Sequence, residues 1–139
     1  MRGMTVIVRT VTALVSAFAL LYGIQLVLYG HTSPGGGFAG GVVLACCLIL
    51  MVLAFGKDFV ADVIGVRTLS VCSSVGALLF LSVGLLGYAA RRPFLSNFLA
   101  AVAKSHGGTI LVCDVAIALM VAASLSGVFM AFSAFRPED

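Results

Sequence analysis

Four apolar runs, each long enough to cross a bilayer, alternate with short polar breaks along this chain. Arg2 and Arg9 precede the first run, Val11 to Tyr29. A small-residue stretch, Gly30 to Gly37, leads into the second, Phe38 to Phe55. Lys57, Asp58, Asp62 and Arg67 mark the next break, before the third run, Thr68 to Ala90. Arg91, Arg92, Pro93, Asn97 and Lys104 mark the last, and the fourth run goes from Gly107 to about Phe135. A spanning helix needs about 20 apolar residues to cross roughly 30 Å of hydrocarbon. The pattern predicts an all-α integral membrane protein. It has four transmembrane helices with short loops, a Gly-rich segment between helices 1 and 2, and a single domain over residues 1–139. Ala17-Phe18-Ala19 looks faintly like a signal-peptide cleavage site. The apolar stretch continues for ten residues beyond it, so the first run reads as a true span.

Composition narrows the function classes. Apolar residues make up 62% of the 139 and charged residues 9%, against about 25% charged in an ordinary soluble domain. Mean hydropathy is +1.23. A soluble enzyme, a disordered region and a nucleic-acid binder are excluded, since a net charge of +3 makes no field for phosphate. Orientation is read from Lys and Arg in the short loops. With the N-terminus inside, Arg2, Arg9, Lys57, Arg67 and Arg136 lie on the inner side and Arg91, Arg92 and Lys104 on the outer, which favours N-in and C-in. All four cysteines (Cys46, Cys47, Cys72 and Cys113) fall inside predicted spans, with no C-x-x-C pair and no histidine at ligand spacing. They read as small apolar residues. No nucleotide-binding or hydrolase motif is present, and no metal or cofactor is expected.

The most informative segment is Gly30-His31-Thr32-Ser33-Pro34-Gly35-Gly36-Gly37-Phe38-Ala39-Gly40-Gly41. Glycine in a helix costs about 1 kcal/mol relative to alanine, so this density needs a reason. In one reading Ser33 is an N-cap and Pro34 the first helical residue. Gly36 with Gly40, and Gly37 with Gly41, then let another helix approach closely. In the other, the segment is irregular backbone shielded by protein, whose N–H and C=O groups meet an ion or water chain. Gly35 is the remaining glycine of either arrangement. His31 is a protonatable group at the membrane boundary or an interfacial hydrogen-bonding residue.

Asp114 is the only charge in the fourth run, roughly 10 Å past Gly107 at 1.5 Å per residue. A carboxylate inside a span costs on the order of 3 kcal/mol, and such residues are functional candidates. Asp114 either faces a hydrated pathway, carrying a proton or coordinating a cation, or accepts hydrogen bonds that fix helix packing. Ala118, one turn further, keeps that face small. Ala122, Ser126 and the Ala123/Gly127 pair do the same for the rest of the helix. No second acidic residue lies inside a span, so a complete proton wire needs partner subunits.

At these residues the sequence resembles the MnhB/MrpB family of small membrane subunits in the Mrp-type multisubunit sodium/proton antiporter. The segment from Gly30 to Phe38, with Gly40-Gly41 after it, matches the family signature G-H-N-x-P-G-G-G-F-x-G-G, with Thr32 in place of asparagine. Gly108-Thr109-Ile110-Leu111-Val112-Cys113-Asp114 resembles G-T-P-L-L-F-D, and Pro93-Phe94-Leu95 resembles a short P-F-L element. Ile110 and Cys113 depart from the second pattern, and Ala116 replaces a small glycine. The resemblance implies a small multi-pass subunit in the cell membrane of a bacterium or archaeon, not an enzyme by itself. Its implied partners are complex I-like antiporter subunits, other small hydrophobic subunits, the lipid bilayer, sodium ion and proton. Asp114, His31 and Thr109 are the ion-pathway candidates. Gly35, Gly36, Gly37, Gly40 and Gly41 are the close-packing or cavity-lining residues. Two alternatives stand beside this reading: the same subunit in a redox-driven complex of the membrane-bound hydrogenase type, and a purely structural linker.

Overall fold

The computed structural model describes residues 5–30, 32, 34–89, 91 and 108–135. Five helices are present among them: α1 Val6–Leu28, α2 Gly36–Phe55, α3 Lys57–Val63, α4 Val66–Ala89 and α5 Gly108–Ala134. All but α3 are long and apolar enough to span a membrane. Their 23, 20, 24 and 27 residues correspond to about 30–40 Å of helix.

The boundaries differ from the sequence expectation at three places, each for a physical reason. α1 begins at Val6, not Val11, and so contains Arg9. An arginine can sit in the first turns of a span because its long stem carries the charge outward, and here the guanidinium carbon lies 5.9 Å from the centroid of the Phe55 ring. The break after Phe55 is not a bare loop. It folds into α3, which has Asp58 in its first turn and buries Val60. Finally, α2 starts at Gly36 with Gly35 as its cap residue, two positions later than a Pro34 start. The expectations for His31 and Ser33, for Pro93-Phe94-Leu95 and for most of the last break lie outside the described residues.

The spans form an open row in the order α1, α2, α5, α4. α1 and α2 run antiparallel: Arg9 meets Phe55, Ser16 Oγ is 3.7 Å from Met51 Sδ, and Gly23 packs on Leu44. α2 and α5 run parallel, with Gly37 beside Asp114 and Gly41 beside Ala118. α4 returns antiparallel to α5, with Gly76 against Ala116 and Met120 and Ser73 Oγ 3.0 Å from Ser124 Oγ. In their most apolar stretches 33% of α2 and 28% of α5 is buried, against 17% of α1 and 22% of α4. The outer two helices are therefore edges whose remaining faces meet lipid or other chains. What is buried is small. Ala45, Ala116 and Ala118 are all nearly inaccessible. A larger cluster of Val52, Val60, Leu69, Ala123 and Met130 closes the end of the row at which α3 lies.

Candidate functional site

The site forms where α2 begins. The first N–H groups of a helix have no partner within it. Gly35 supplies no side-chain cap. Gly36 takes φ of +58°, a left-handed turn that favours glycine. The acceptor comes instead from α5, 77 residues on, where Asp114 Oδ1 accepts the Gly37 N–H at 3.3 Å. This is longer than the 2.7–2.9 Å of a strong charge-assisted bond. The attraction is therefore chiefly that of a carboxylate for the positive end of the helix dipole. It supplies, from another helix, the acceptor that a side-chain cap provides elsewhere.

The glycines let the carboxylate reach this position. A Cβ on Gly37 would collide with the backbone carbonyl oxygen of Asp114, and would lie 2.7 Å from its carbonyl carbon and 2.8 Å from its Cα. A Cβ on Gly30 would come 2.5 Å from Asp114 Oδ2 and 2.7 Å from Gly36 Cα. One turn along, a Cβ on Gly41 would lie 2.8 Å from Ala118 O and 2.9 Å from Val121 Cβ. Gly37 and Gly41 thus share the face against α5. Gly40 serves the other neighbour: its Cβ would strike Val27 Cγ2 and lie 3.0 Å from Gly23 O on α1. Gly36 and Gly40 therefore do not make one paired contact, since Gly36 faces Asp114 Oδ1 at 3.5 Å. Gly35 has only ordinary contacts, at 3.6 and 3.7 Å.

Asp114 is half-buried, and its Oδ2 is inaccessible and without a hydrogen-bond partner among the described residues. Thr109, 2% exposed, precedes it by five residues on α5, which turns its side chain about 140° around the helix from Asp114. The two are not neighbours on one face. His31 lies outside the described residues, between Gly30 and Thr32. Thr32 Oγ1 donates to Tyr29 O at 3.0 Å and closes the turn after α1. All four cysteines are free, and among the described residues no three of His, Cys, Asp or Glu come together. Sequence reasoning assigned no role to Gly30 or Arg9. The first was visible as the opening residue of the glycine motif; the second carried no signal beyond its charge.

Comparison with known proteins bears on this arrangement. A family model described as a domain related to the MnhB subunit of the Na+/H+ antiporter matches residues 7–127, which includes both halves of the site. Relatives named as antiporter subunit mnhB2 in Staphylococcus aureus strains Newman and JH1 are each 30% identical over 136 residues. The match covers 94% of this chain and 96% of each relative. The strain COL relative matches to the same extent.

Proposed function

The chain belongs to the MnhB family, and from that premise we propose that it works as a small membrane subunit of a multisubunit Na+/H+ antiporter. It is a transporter component, seated as one multi-pass domain in the cell membrane of a bacterium or archaeon. Its partners in this reading are complex I-like antiporter subunits and small hydrophobic subunits. The N-in, C-in orientation is supported by Arg9, Lys57 and Arg67 gathering at one end of the row. The open row itself supports a subunit role, because no span buries more than 33% of its most apolar stretch within the chain.

Asp114 is the ion-facing residue in this proposal. The observation that carries it is the division of labour within the carboxylate. Oδ1 is held by the α2 N-terminus, while Oδ2 is left without a partner among the described residues. A carboxyl group level with the first turn of α2 is suited to drawing Na+ or a proton toward the pathway at one boundary. It is less suited to ferrying a proton across the middle. Thr109 and His31 are proposed as polar groups near the same boundary, the latter on sequence alone. A second reading is favoured by the Gly37 contact: Asp114 is only a clasp between α2 and α5.

Asp114→Asn separates the two, because the amide keeps an acceptor for Gly37 and loses the charge. Na+-driven collapse of a pH gradient is measured in everted vesicles, with assembly followed on native gels. Normal assembly with lost exchange supports the ion-facing role. Impaired assembly, or normal exchange, leaves the clasp. An intact wild-type complex that responds to no cation, and co-purifies with iron–sulfur or nickel–iron subunits, would overturn the antiporter reading in favour of the redox-driven one.

A further inference from the structure

At the opposite end of the row from Asp114, the start of α1 meets the end of α2. We infer that this corner binds the phosphate of an anionic phospholipid through Arg9 and Lys57. Arg9 lies one turn into α1, with its guanidinium carbon 5.9 Å from the Phe55 ring centroid. Phe55 in turn stacks on Phe59, centroids 5.6 Å apart and planes 30° to each other. The ring fixes the cation against α2 without neutralising it. Arg9 Nε is buried and has no hydrogen-bond partner among the described residues. A guanidinium carries five N–H donors and stays charged, so a counter-charge is called for.

Among the described residues no carboxylate supplies it. Asp58 and Asp62 are exposed on α3, which is anchored to the row by buried Val60. At 100° per residue both lie about 160° around α3 from Val60, on its outward side, whereas Lys57 lies about 60° from it. Lys57 is half-buried and follows Phe55 by two residues. The corner therefore offers two cations at the level where α2 ends. Below them on α2 Leu53 is 52% exposed, and beside them on α3 Phe59 is 53% exposed. Positive charge directly above apolar surface, at the end of a span, complements a phosphate carried on acyl chains. A carboxylate from a neighbouring subunit would match the charge alone.

The test uses the intact complex in nanodiscs containing phosphatidylglycerol with a photoreactive headgroup, or phosphatidylcholine with the same group. Adducts on the segment 55–59 are mapped by mass spectrometry. The phosphatidylglycerol probe labels this segment well above the neutral probe. Arg9→Gln lowers that labelling about fivefold, the weight of about one basic residue at an anionic surface. Arg9→Lys keeps most of it, and Arg67→Gln, on exposed α4, leaves it unchanged. If Arg9→Gln disrupts the complex, Lys57→Gln is read in its place, with a similar loss expected. Equal labelling by both probes, or labelling indifferent to Arg9 and Lys57, overturns the inference. So does background labelling in wild type together with loss of a neighbouring subunit in Arg9→Gln, which would assign the counter-charge to a protein carboxylate.

Discussion

Gly37→Ala adds one methyl group where α2 touches α5, and the structure sets its consequence. The new Cβ would overlap the Asp114 carbonyl oxygen and stand 2.7 Å and 2.8 Å from the carbonyl carbon and Cα. These are backbone atoms and cannot rotate away. Carbon atoms pack at about 3.5–4.0 Å, so the helices must part locally by roughly 1 Å. That carries the Gly37 N–H···Oδ1 bond, already 3.3 Å, out of range. Overpacking costs about 1–3 kcal/mol and a hydrogen bond to a charged group about 1.5–3. The better helix propensity of alanine returns about 1 kcal/mol at most. The net expectation is a loss of about 2–4 kcal/mol in the α2–α5 contact. In a thermal melt of the detergent-solubilised complex this becomes a fall of roughly 5–10 °C in apparent Tm. Two controls carry the same chemical change. Gly35→Ala meets only ordinary contacts, and Gly127→Ala meets nothing within 4 Å. Gly127→Ala should melt at or above wild type, and Gly35→Ala should lie no more than about 1 kcal/mol below it, since alanine is the poorer N-cap. A Gly37→Ala complex as stable as either control would refute the close approach of α2 and α5 at Asp114.

Three further substitutions test neighbouring contacts. Gly40→Ala drives a methyl into Val27 on α1 and should cost about 1–3 kcal/mol; the double variant with Val27→Ala should recover part of that loss in a thermal melt, because the two changes share one contact. Gly36→Ala meets no crowding closer than 3.5 Å, yet its φ of +58° makes any Cβ cost about 1–2 kcal/mol, so Gly36→Asn, which tolerates that conformation better, should melt above Gly36→Ala. Ser73→Ala removes one side of the 3.0 Å hydroxyl pair with Ser124 and should cost only about 0.6 kcal/mol, a change near the noise of the melt and well short of the Gly37 effect.

The spans were legible because hydropathy alone sets them, and their ends were not. Arg9 reads as a boundary in the sequence, whereas its long stem and the Phe55 ring let it lie inside α1. The charges at 57–62 read as a connection and hid the short helix that buries Val60. The direction of α2 relative to α5 follows from counting spans, since the second and fourth cross the same way. Their adjacency does not follow. Helices that are apolar all round give no face to distinguish lipid from protein, and only the glycines and alanines mark where chains touch. Asp114 stood out through the cost of a charge in a span. Its partner did not, because no local pattern connects residue 114 with the N–H of residue 37.

That long-range link gives the two motifs a common physical reason. Helix approach alone would be met by Gly41 against Ala118 on one side and Gly40 against Val27 on the other. It would not require a bare backbone at Gly30, in the turn after α1, or at Gly37, in the first turn of α2. Those two positions are the ones that a Cβ would close against Asp114, one at its side-chain oxygen and the other at its backbone. Conversely, the carboxylate is sustainable at this depth because an uncapped helix start faces it, and Gly36 turns the chain so that α2 begins there. The glycine segment and the aspartate segment are therefore two halves of one structure. A methyl at Gly37 and a lost charge at Asp114 should weaken the same contact, and their combined effect should fall short of the sum of the two.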